Sequence, residues 1–347
     1  MNQQAKKSFG SIQGQEGRRL FLAALSVLAV LGLAGNAVAN PSVWKFEWPN
    51  TDFARASVPL DSIISGFGDD TIGRDQIPSI DDPKFGSVGQ ASRFFTGTEP
   101  VITVEHGGVA KAYPLSILIW HEIVNDEIAG LPIAVTFCPL CNSSVVFDRR
   151  VGGQVLEFGA TGKLRNSDLI MFDRQTESWW QQFTGDGIVG EMMGARLAIL
   201  PVRVEAFDRF RQRFPGGRVM QVPRQFQRSY GINPYTGYDS LDQVPLFEGV
   251  TIGDQPPLSY VVAVADRAWT LDLLRARRRI VTDDGLILEW SPGQNSVLDQ
   301  ARISQGRDVG NVTVRRHENG RLVDVAHDTT FAFAFSAFFP QGILHIR

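Results

Sequence analysis

The only two cysteines of this 347-residue chain lie on a short turn between two strand-like segments. Cys138 and Cys141 form a C-x-x-C motif, and the apolar segments 131–137 and 144–148 flank it. Two sulfurs at this spacing can chelate one metal ion, or they can open and close as a dithiol/disulfide pair. The motif therefore predicts a β-hairpin whose turn carries reactive sulfur, and both kinds of chemistry remain open.

The residues after the second cysteine favour a strand over a helix. Thioredoxin-like proteins place C-x-x-C at a helix N-terminus, where the dipole lowers the pKa of the first thiol. Here the segment 142–147 contains β-branched and aromatic residues, which favour a strand. The pattern resembles the turns of zinc ribbons and rubredoxins, which hold a metal through both sulfurs. Because the chain has one such turn, the other ligands must be histidine, carboxylate, methionine or water.

Two of the five histidines are the candidates for a further ligand. His121 precedes the cysteine strand by one short connection and is the first choice, and His327 is the second. Sulfur and imidazole ligands together predict copper or zinc. The alternative for His121 is a core histidine that is hydrogen-bonded to a backbone carbonyl.

A second concentration of polar residues spans residues 158–181. Asn166, Ser167 and Asp168 are candidates to line a pocket, and Met171 offers a thioether that copper would accept. The alternative is a pair of strands whose outer face carries ion pairs.

Glycine and proline are frequent, with 34 and 18 residues, which predicts short strands and many turns. Residues 101–113 have the pattern of a β-hairpin with a Gly-Gly turn, and residues 204–214 are the clearest amphipathic helix. We expect an α+β, strand-dominated single domain over residues 40–347, with mixed and antiparallel sheets and a few short helices. The net charge of −3 gives no basis for nucleic acid as a partner.

Residues 1–39 have the three regions of a secretory signal. A polar segment ends at Arg18 and Arg19, an apolar run follows, and residues 37–39 form a small-residue A-x-A pattern. The arginine pair resembles a twin-arginine signal, and an ordinary signal is the alternative. Since the apolar run is shorter than the roughly 20 residues of a spanning helix, we expect cleavage near Asn40 and a periplasmic chain without a membrane span.

Five blocks of sequence are similar to the signature of one family. The blocks are residues 120–126, 136–141, 162–164, 166–169 and 173–178. Over residues 50–340 the chain resembles the DUF3179 family, exported bacterial and archaeal proteins that are named as a domain of unknown function. The resemblance supplies no established reaction, but it implies that His121, Cys138 and Cys141 belong to one recurrent set.

These patterns favour a periplasmic protein that binds copper or zinc through Cys138, Cys141 and His121. Such a protein would be an oxidoreductase or a metal-handling protein, with an unidentified small molecule or metal donor as its partner. A thiol–disulfide protein without metal is the second interpretation, and a non-catalytic binding module with a structural disulfide is the third. Only the first needs His121, whereas the second needs an exposed cysteine of low pKa.

Overall fold

The computed structural model describes residues 40–69 and 73–346, with the side chain of Asp254 excepted. The chain is 39 % strand and 16 % helix. The predicted dominance of strands is therefore confirmed, although the structure is mostly β and its helices are few and short. The predicted signal at residues 1–39 lies outside the described residues.

The strands form five small sheets in a propeller-like arrangement. The first sheet contains, in spatial order, β1 (Ile63–Ser65), β10 (Phe158–Arg165), β11 (Asp168–Asp173), β12 (Trp179–Gln181) and β13 (Gly187–Val189). The second contains β14 (Ala198–Ile199), β7 (Ser143–Asp148), β6 (Leu131–Cys138) and β5 (Ile123–Ile128). The third contains β15 (Arg203–Ala206), β3 (Pro100–His106), β4 (Val109–Pro114), β16 (Arg218–Met220) and β2 (Phe85–Ser87).

The remaining sheets are built from the C-terminal part of the chain. The fourth contains β23 (Asp328–Phe331), β17 (Tyr260–Val264), β18 (Arg267–Thr270) and β24 (Ile343–His345). The fifth contains β19 (Arg279–Val281), β20 (Leu286–Ser291), β21 (Asn311–Glu318) and β22 (Arg321–Asp324), and a small separate hairpin joins β8 (Arg150–Val151) to β9 (Gln154–Val155). Neighbouring strands are antiparallel except for β4 with β16 and β18 with β24, so the predicted mixed sheets are confirmed.

Short helices connect the strands. The α-helices are α1 (Pro41–Glu47), α2 (Val88–Ala91), α3 (Leu115–Leu118), α4 (Phe207–Arg213), α5 (Leu271–Arg277) and α6 (Ala332–Phe338). Single 3-10 turns span Leu60–Ser62, Tyr238–Ser240, Ile252–Asp254 and Ile303–Gln305. Among the residues described, no helix is long and apolar enough to cross a membrane.

Two local predictions are confirmed by these elements. The hairpin predicted over residues 101–113 is β3 and β4, and both residues of its turn, Gly107 and Gly108, have positive φ angles of 55° and 75°. Glycine adopts this left-handed region without the steric cost that a Cβ atom brings, which explains the Gly-Gly pair. The predicted amphipathic helix is α4, which starts after β15.

The second sheet lies in the largest hydrophobic core. Every residue of β6 is buried, and its sequence is almost continuously apolar, as expected for a strand that is covered on both faces. The strand ends at Cys138, so the fold carries the C-x-x-C motif into the interior and not to an exposed edge.

A separate aromatic cluster attaches helix α1 to the first sheet. The ring of Trp179 on β12 lies 5.1 Å from the rings of both Trp44 and Trp48, and 5.2 Å from that of Phe53. Trp44, Trp48 and Trp179 are fully buried. Aromatic pairs at these distances stabilise beyond the area they bury, so this cluster fixes the start of the described chain.

Candidate functional site

The C-x-x-C motif forms a tight turn between β6 and β7, as the sequence predicted. Cys138 ends β6 and pairs in register with Ser143 at the start of β7. Asn142 has a φ of 51°, a left-handed conformation that asparagine tolerates, and its N–H donates to the Pro139 carbonyl over 3.2 Å. Both cysteines are free thiols, and both are buried.

Strand β23 holds this turn from one side. The Cys141 carbonyl accepts a hydrogen bond from the Phe331 N–H at 3.1 Å and another from the Thr330 hydroxyl at 2.7 Å. The Asn142 side chain donates to the Thr329 carbonyl over 2.9 Å. The backbone of the turn is therefore fixed by a strand from the C-terminal end of the chain.

The hairpin between β10 and β11 faces the turn from another side. Its two-residue loop is Asn166 and Ser167, whose φ angles of 53° and 56° are those of a tight hairpin turn with two left-handed residues. The Ser167 carbonyl lies 3.3 Å from Cys141 Sγ and 4.0 Å from Cys138 Sγ, so it can accept a hydrogen bond from a thiol. The first residue of β11 after this loop is Asp168.

Cys138, Cys141 and Asp168 form a compact group of ligand atoms. One atom from each, the two sulfurs and a carboxylate oxygen, lie within 4.8 Å of one another. Asp168 Oδ2 accepts hydrogen bonds from Gln181 Nε2 at 2.6 Å and from the Phe183 N–H at 3.0 Å. Asp168 Oδ1 is buried and has no hydrogen-bond partner among the described residues. Two donors thus hold Oδ2, and the thiols of Cys138 and Cys141 are the remaining groups beside the carboxylate that can donate to it.

Burial dominates the electrostatics of this group. It raises the pKa of Cys138, and it raises the pKa of Cys141 well above that of an ordinary thiol. It raises the pKa of Asp168 to about 6. Burial also raises the pKa of two carboxyl groups nearby, Glu122 to about 8 and Asp328 to about 7, and the charge of Asp168 adds to both shifts. The site therefore concentrates acidic groups in a region of low polarity.

The structure does not bring His121 into this group. Its ring Nδ1 lies 2.7 Å from the Pro78 carbonyl, and its Nε2 lies 2.8 Å from the Tyr230 hydroxyl. Because a carbonyl can only accept, Nδ1 carries the proton and Nε2 accepts from the tyrosine. Burial lowers the pKa of His121, which favours this neutral ring. Both nitrogens are occupied, and the geometry matches the alternative of a histidine bonded to a backbone carbonyl.

Tyr230 belongs to a long irregular stretch, residues 221–259, which we name the covering segment. Apart from two 3-10 turns it contains no helix or strand. Three hydrogen bonds from the rest of the fold hold this segment in place, one of them between His121 and Tyr230. Trp120 Nε1 donates to the Ile232 carbonyl at 3.2 Å, and the Ser167 hydroxyl donates to the Pro245 carbonyl at 2.8 Å. Irregular segments of this length in a compact fold commonly serve function.

Replacing His121 with phenylalanine is expected to loosen the covering segment, and the metal binding proposed below should change by no more than about threefold. The substitution keeps a ring but removes both hydrogen bonds, a loss of about 1–3 kcal/mol. Amide hydrogen exchange should therefore accelerate in residues 221–259, and the exposed His106→Phe is the control. Lost metal binding with unchanged exchange would instead make His121 a ligand.

The two other predicted residues, Met171 and His327, lie in the first sheet and beside a second cavity. Met171 is buried in the first sheet, in register between Ala160 and Trp180. His327 Nδ1 lies 2.8 Å from the Val325 carbonyl, and the residue lines a different cavity, of about 410 Å³. His327 is not a member of the group that contains the cysteines.

A cavity of about 370 Å³ adjoins the thiol turn. Leu140, between the two cysteines, and Leu169, next to Asp168, form part of its wall. Glu122 and residues of the covering segment complete it. Sequence analysis missed Glu122, although it follows His121 within the first of the five similar blocks.

The fold and the site define a class: strand-dominated, propeller-like proteins with a buried dithiol–carboxylate group beside a cavity. The chain belongs to the family described as "Protein of unknown function (DUF3179)", whose model matches residues 74–342. The match confirms the resemblance and spans the cysteines, Asp168, the covering segment and all of the cavity lining except Gly66 and Phe67. No curated protein and no solved structure matches the chain.

Proposed function

We propose that this protein binds one zinc ion through Cys138, Cys141 and Asp168. The observation that carries the proposal is the compact group itself: a carboxylate oxygen of Asp168 and both sulfurs lie within 4.8 Å of one another, and Asp168 Oδ1 has no hydrogen-bond partner in the described part of the chain. A buried carboxylate that no cation faces is costly to ionise. A cation bound by the carboxylate and both sulfurs would remove this cost and would favour the deprotonated thiols.

The donor set favours zinc over copper. Zinc accepts thiolate and carboxylate ligands together, whereas copper(I) prefers thiolate and thioether sulfur. Met171, whose thioether would favour copper, is flanked in the sheet by Ala160 and Trp180, neither of which is a metal-ligating residue. Three protein ligands leave the fourth tetrahedral position to water or a small molecule, as in zinc sites that act on a substrate or pass the metal on.

The same geometry argues against a thiol–disulfide enzyme. Cys138 is 1 % exposed and Cys141 is 0 % exposed, so a partner thiol cannot reach either sulfur in this conformation. The pKa of each thiol is raised, whereas a nucleophilic cysteine needs a lowered pKa. The turn also lies between two strands and lacks the helix N-terminus that stabilises a thiolate in redox enzymes.

The proposal includes export to the periplasm. The signal-like residues 1–39 support it, and a bound metal would keep Cys138 and Cys141 from closing in an oxidising compartment. N-terminal sequencing of the exported protein should find a start at or near Asn40.

The test is the metal content of protein that is expressed at full length and recovered from the periplasmic fraction. We expect one zinc per chain, and we expect Cys138→Ser and Cys141→Ser each to lose it. Met171→Leu is the matched control, because it changes sulfur content in the same core but should retain zinc. Copper in the wild type that disappears in Met171→Leu would contradict the zinc assignment.

Two other results would replace the proposal. A metal-free protein whose disulfide is reduced by mild thiols, with a mixed disulfide trapped by only one single-cysteine variant, would indicate a redox protein. A closed disulfide without metal, whose removal lowers only stability, would indicate a structural bridge.

A further inference from the structure

The cavity beside the thiol turn has walls suited to a small organic molecule. Its volume of about 370 Å³ lies in the range of small-molecule sites, which are typically 300–1,000 Å³. Most of its lining is apolar, including Phe67, Ile77, Trp120, Leu140, Leu169 and Tyr235. Apolar and aromatic walls with a few convergent polar groups are typical of ligand sites.

Glu122 is the polar group at the inner wall of this cavity. The residue is 7 % exposed, and its carboxyl group has neither a hydrogen bond nor an ion pair among the described residues. Its φ of 59° is unusual for a residue with a long side chain. Backbone strain of this kind persists where the surrounding structure holds a residue for function. The cavity therefore contains a buried acceptor that no described donor satisfies.

Arg228, on the covering segment, lines the same cavity from its exposed side. Its guanidinium forms no hydrogen bond or ion pair within the part of the chain described here, and it does not pair with Glu122. A third charged group, Lys163, is buried in the cavity wall and has interactions of its own. An acidic and a basic side chain, Glu122 and Arg228, thus line one apolar cavity at different depths without pairing with each other.

We propose that this cavity binds a small zwitterion of the amino-acid type. Its ammonium group would pair with the Glu122 carboxylate, its carboxylate with the Arg228 guanidinium, and its side chain would contact the apolar walls. Burial raises the pKa of Glu122 in the empty cavity, and the ligand ammonium supplies a cation beside its carboxyl group. The site is separate from the proposed zinc ion, because none of the three proposed zinc ligands lines the cavity.

The experiment is calorimetric titration of the full-length protein with three matched probes. L-Phenylalanine carries both charges, phenethylamine carries only the amine, and 3-phenylpropionate carries only the acid. We expect L-phenylalanine to bind about tenfold more tightly than either of the others, because each truncated probe loses one charged hydrogen bond. Equal affinity for L-phenylalanine and either truncated probe, or no binding of L-phenylalanine at millimolar concentration, would overturn the proposal.

Two variants test which side chain pairs with each charged group of the ligand. In Glu122→Gln, L-phenylalanine should bind no better than 3-phenylpropionate, and in Arg228→Gln it should bind no better than phenethylamine. Glu127→Gln, on the exposed side of β5, and Arg224→Gln, in the covering segment, are the matched controls and should keep wild-type affinities. Because Arg228 is exposed, its variant should fold even if Glu122→Gln does not. Unchanged selectivity in Arg228→Gln would overturn the proposal.

Discussion

Replacing Asp168 with asparagine should lower zinc affinity by about 100-fold or more. Changes to groups that only support a metal ligand already cost roughly 10–100-fold, and here the ligand itself loses its charge. Asparagine has the same shape, so its oxygen can still accept the hydrogen bonds from Gln181 and Phe183. Competition with a chromophoric chelator measures the affinity. Asp148→Asn, in which the altered carboxylate pairs with Arg150 at the protein surface, is the control and should bind zinc normally.

The same variant should make the metal-free protein more stable at neutral pH. The pKa of Asp168 is raised by burial from an ordinary 3.8 to about 6, so ionisation is unfavourable in the folded state. Below pH 3.8 the Asp168 carboxyl group is protonated in both states and does not change the free energy of unfolding. The free-energy cost of ionising it in the folded state grows between pH 3.8 and pH 6 and stays constant above pH 6. A shift of this size corresponds to about 3 kcal/mol as an upper bound.

Denaturant unfolding of the metal-free proteins between pH 4 and pH 8 measures the direction of this stability change. Wild-type stability should fall relative to that of Asp168→Asn across pH 4–6, and the difference should stay level above pH 6. Weaker stability of the variant at pH 8 would mean that the carboxylate has a favourable partner. It would also remove the unpaired Asp168 oxygen as support for the metal site.

Replacing Trp179 with alanine should destabilise the protein by about 3–5 kcal/mol, the usual cost of removing a buried aromatic side chain. The variant also removes the ring that Trp44, Trp48 and Phe53 share, so helix α1 loses its main contact with the first sheet. We expect early proteolytic cleavage within residues 41–53 together with the lowered denaturation midpoint.

Phe46→Ala in the same helix is the matched control. Its side chain is 87 % exposed, so its removal should change stability by less than about 0.5 kcal/mol. If Trp179→Ala lowered stability by no more than this control does, the aromatic cluster would not anchor the N-terminal helix.

The parts of the fold that sequence analysis predicted depend on contacts between near neighbours. The turn at Cys138 and Cys141, the Gly-Gly hairpin at Gly107, and helix α4 each follow from residue types within a few positions. The aromatic run over residues 331–340 alternates as a strand would, while its alanine spacing also permits a helix. The structure has β23 followed by α6 there, because the start of the run pairs with β17.

The site depends on contacts that local patterns cannot supply. Asp168 was predicted only as a pocket residue, because nothing in its neighbourhood shows that a hairpin turn would place it at the thiols. His121 was predicted as a ligand from its position before the cysteine strand. Its hydrogen-bond partner in the structure, Tyr230, is 109 residues away. Because Tyr230 lies in the irregular covering segment, no sequence periodicity indicates this contact.

The hydrogen bonds between β23 and the thiol turn determine how early in protein synthesis the site can form. The Thr330 hydroxyl and the Cys141 carbonyl that it binds are 189 residues apart. A nascent chain therefore carries both cysteines uncovered until almost all of the protein has left the ribosome. Pairings this distant in sequence also form slowly. The interval in which the two thiols are open to oxidation is thus the time taken to make and dock the last strands.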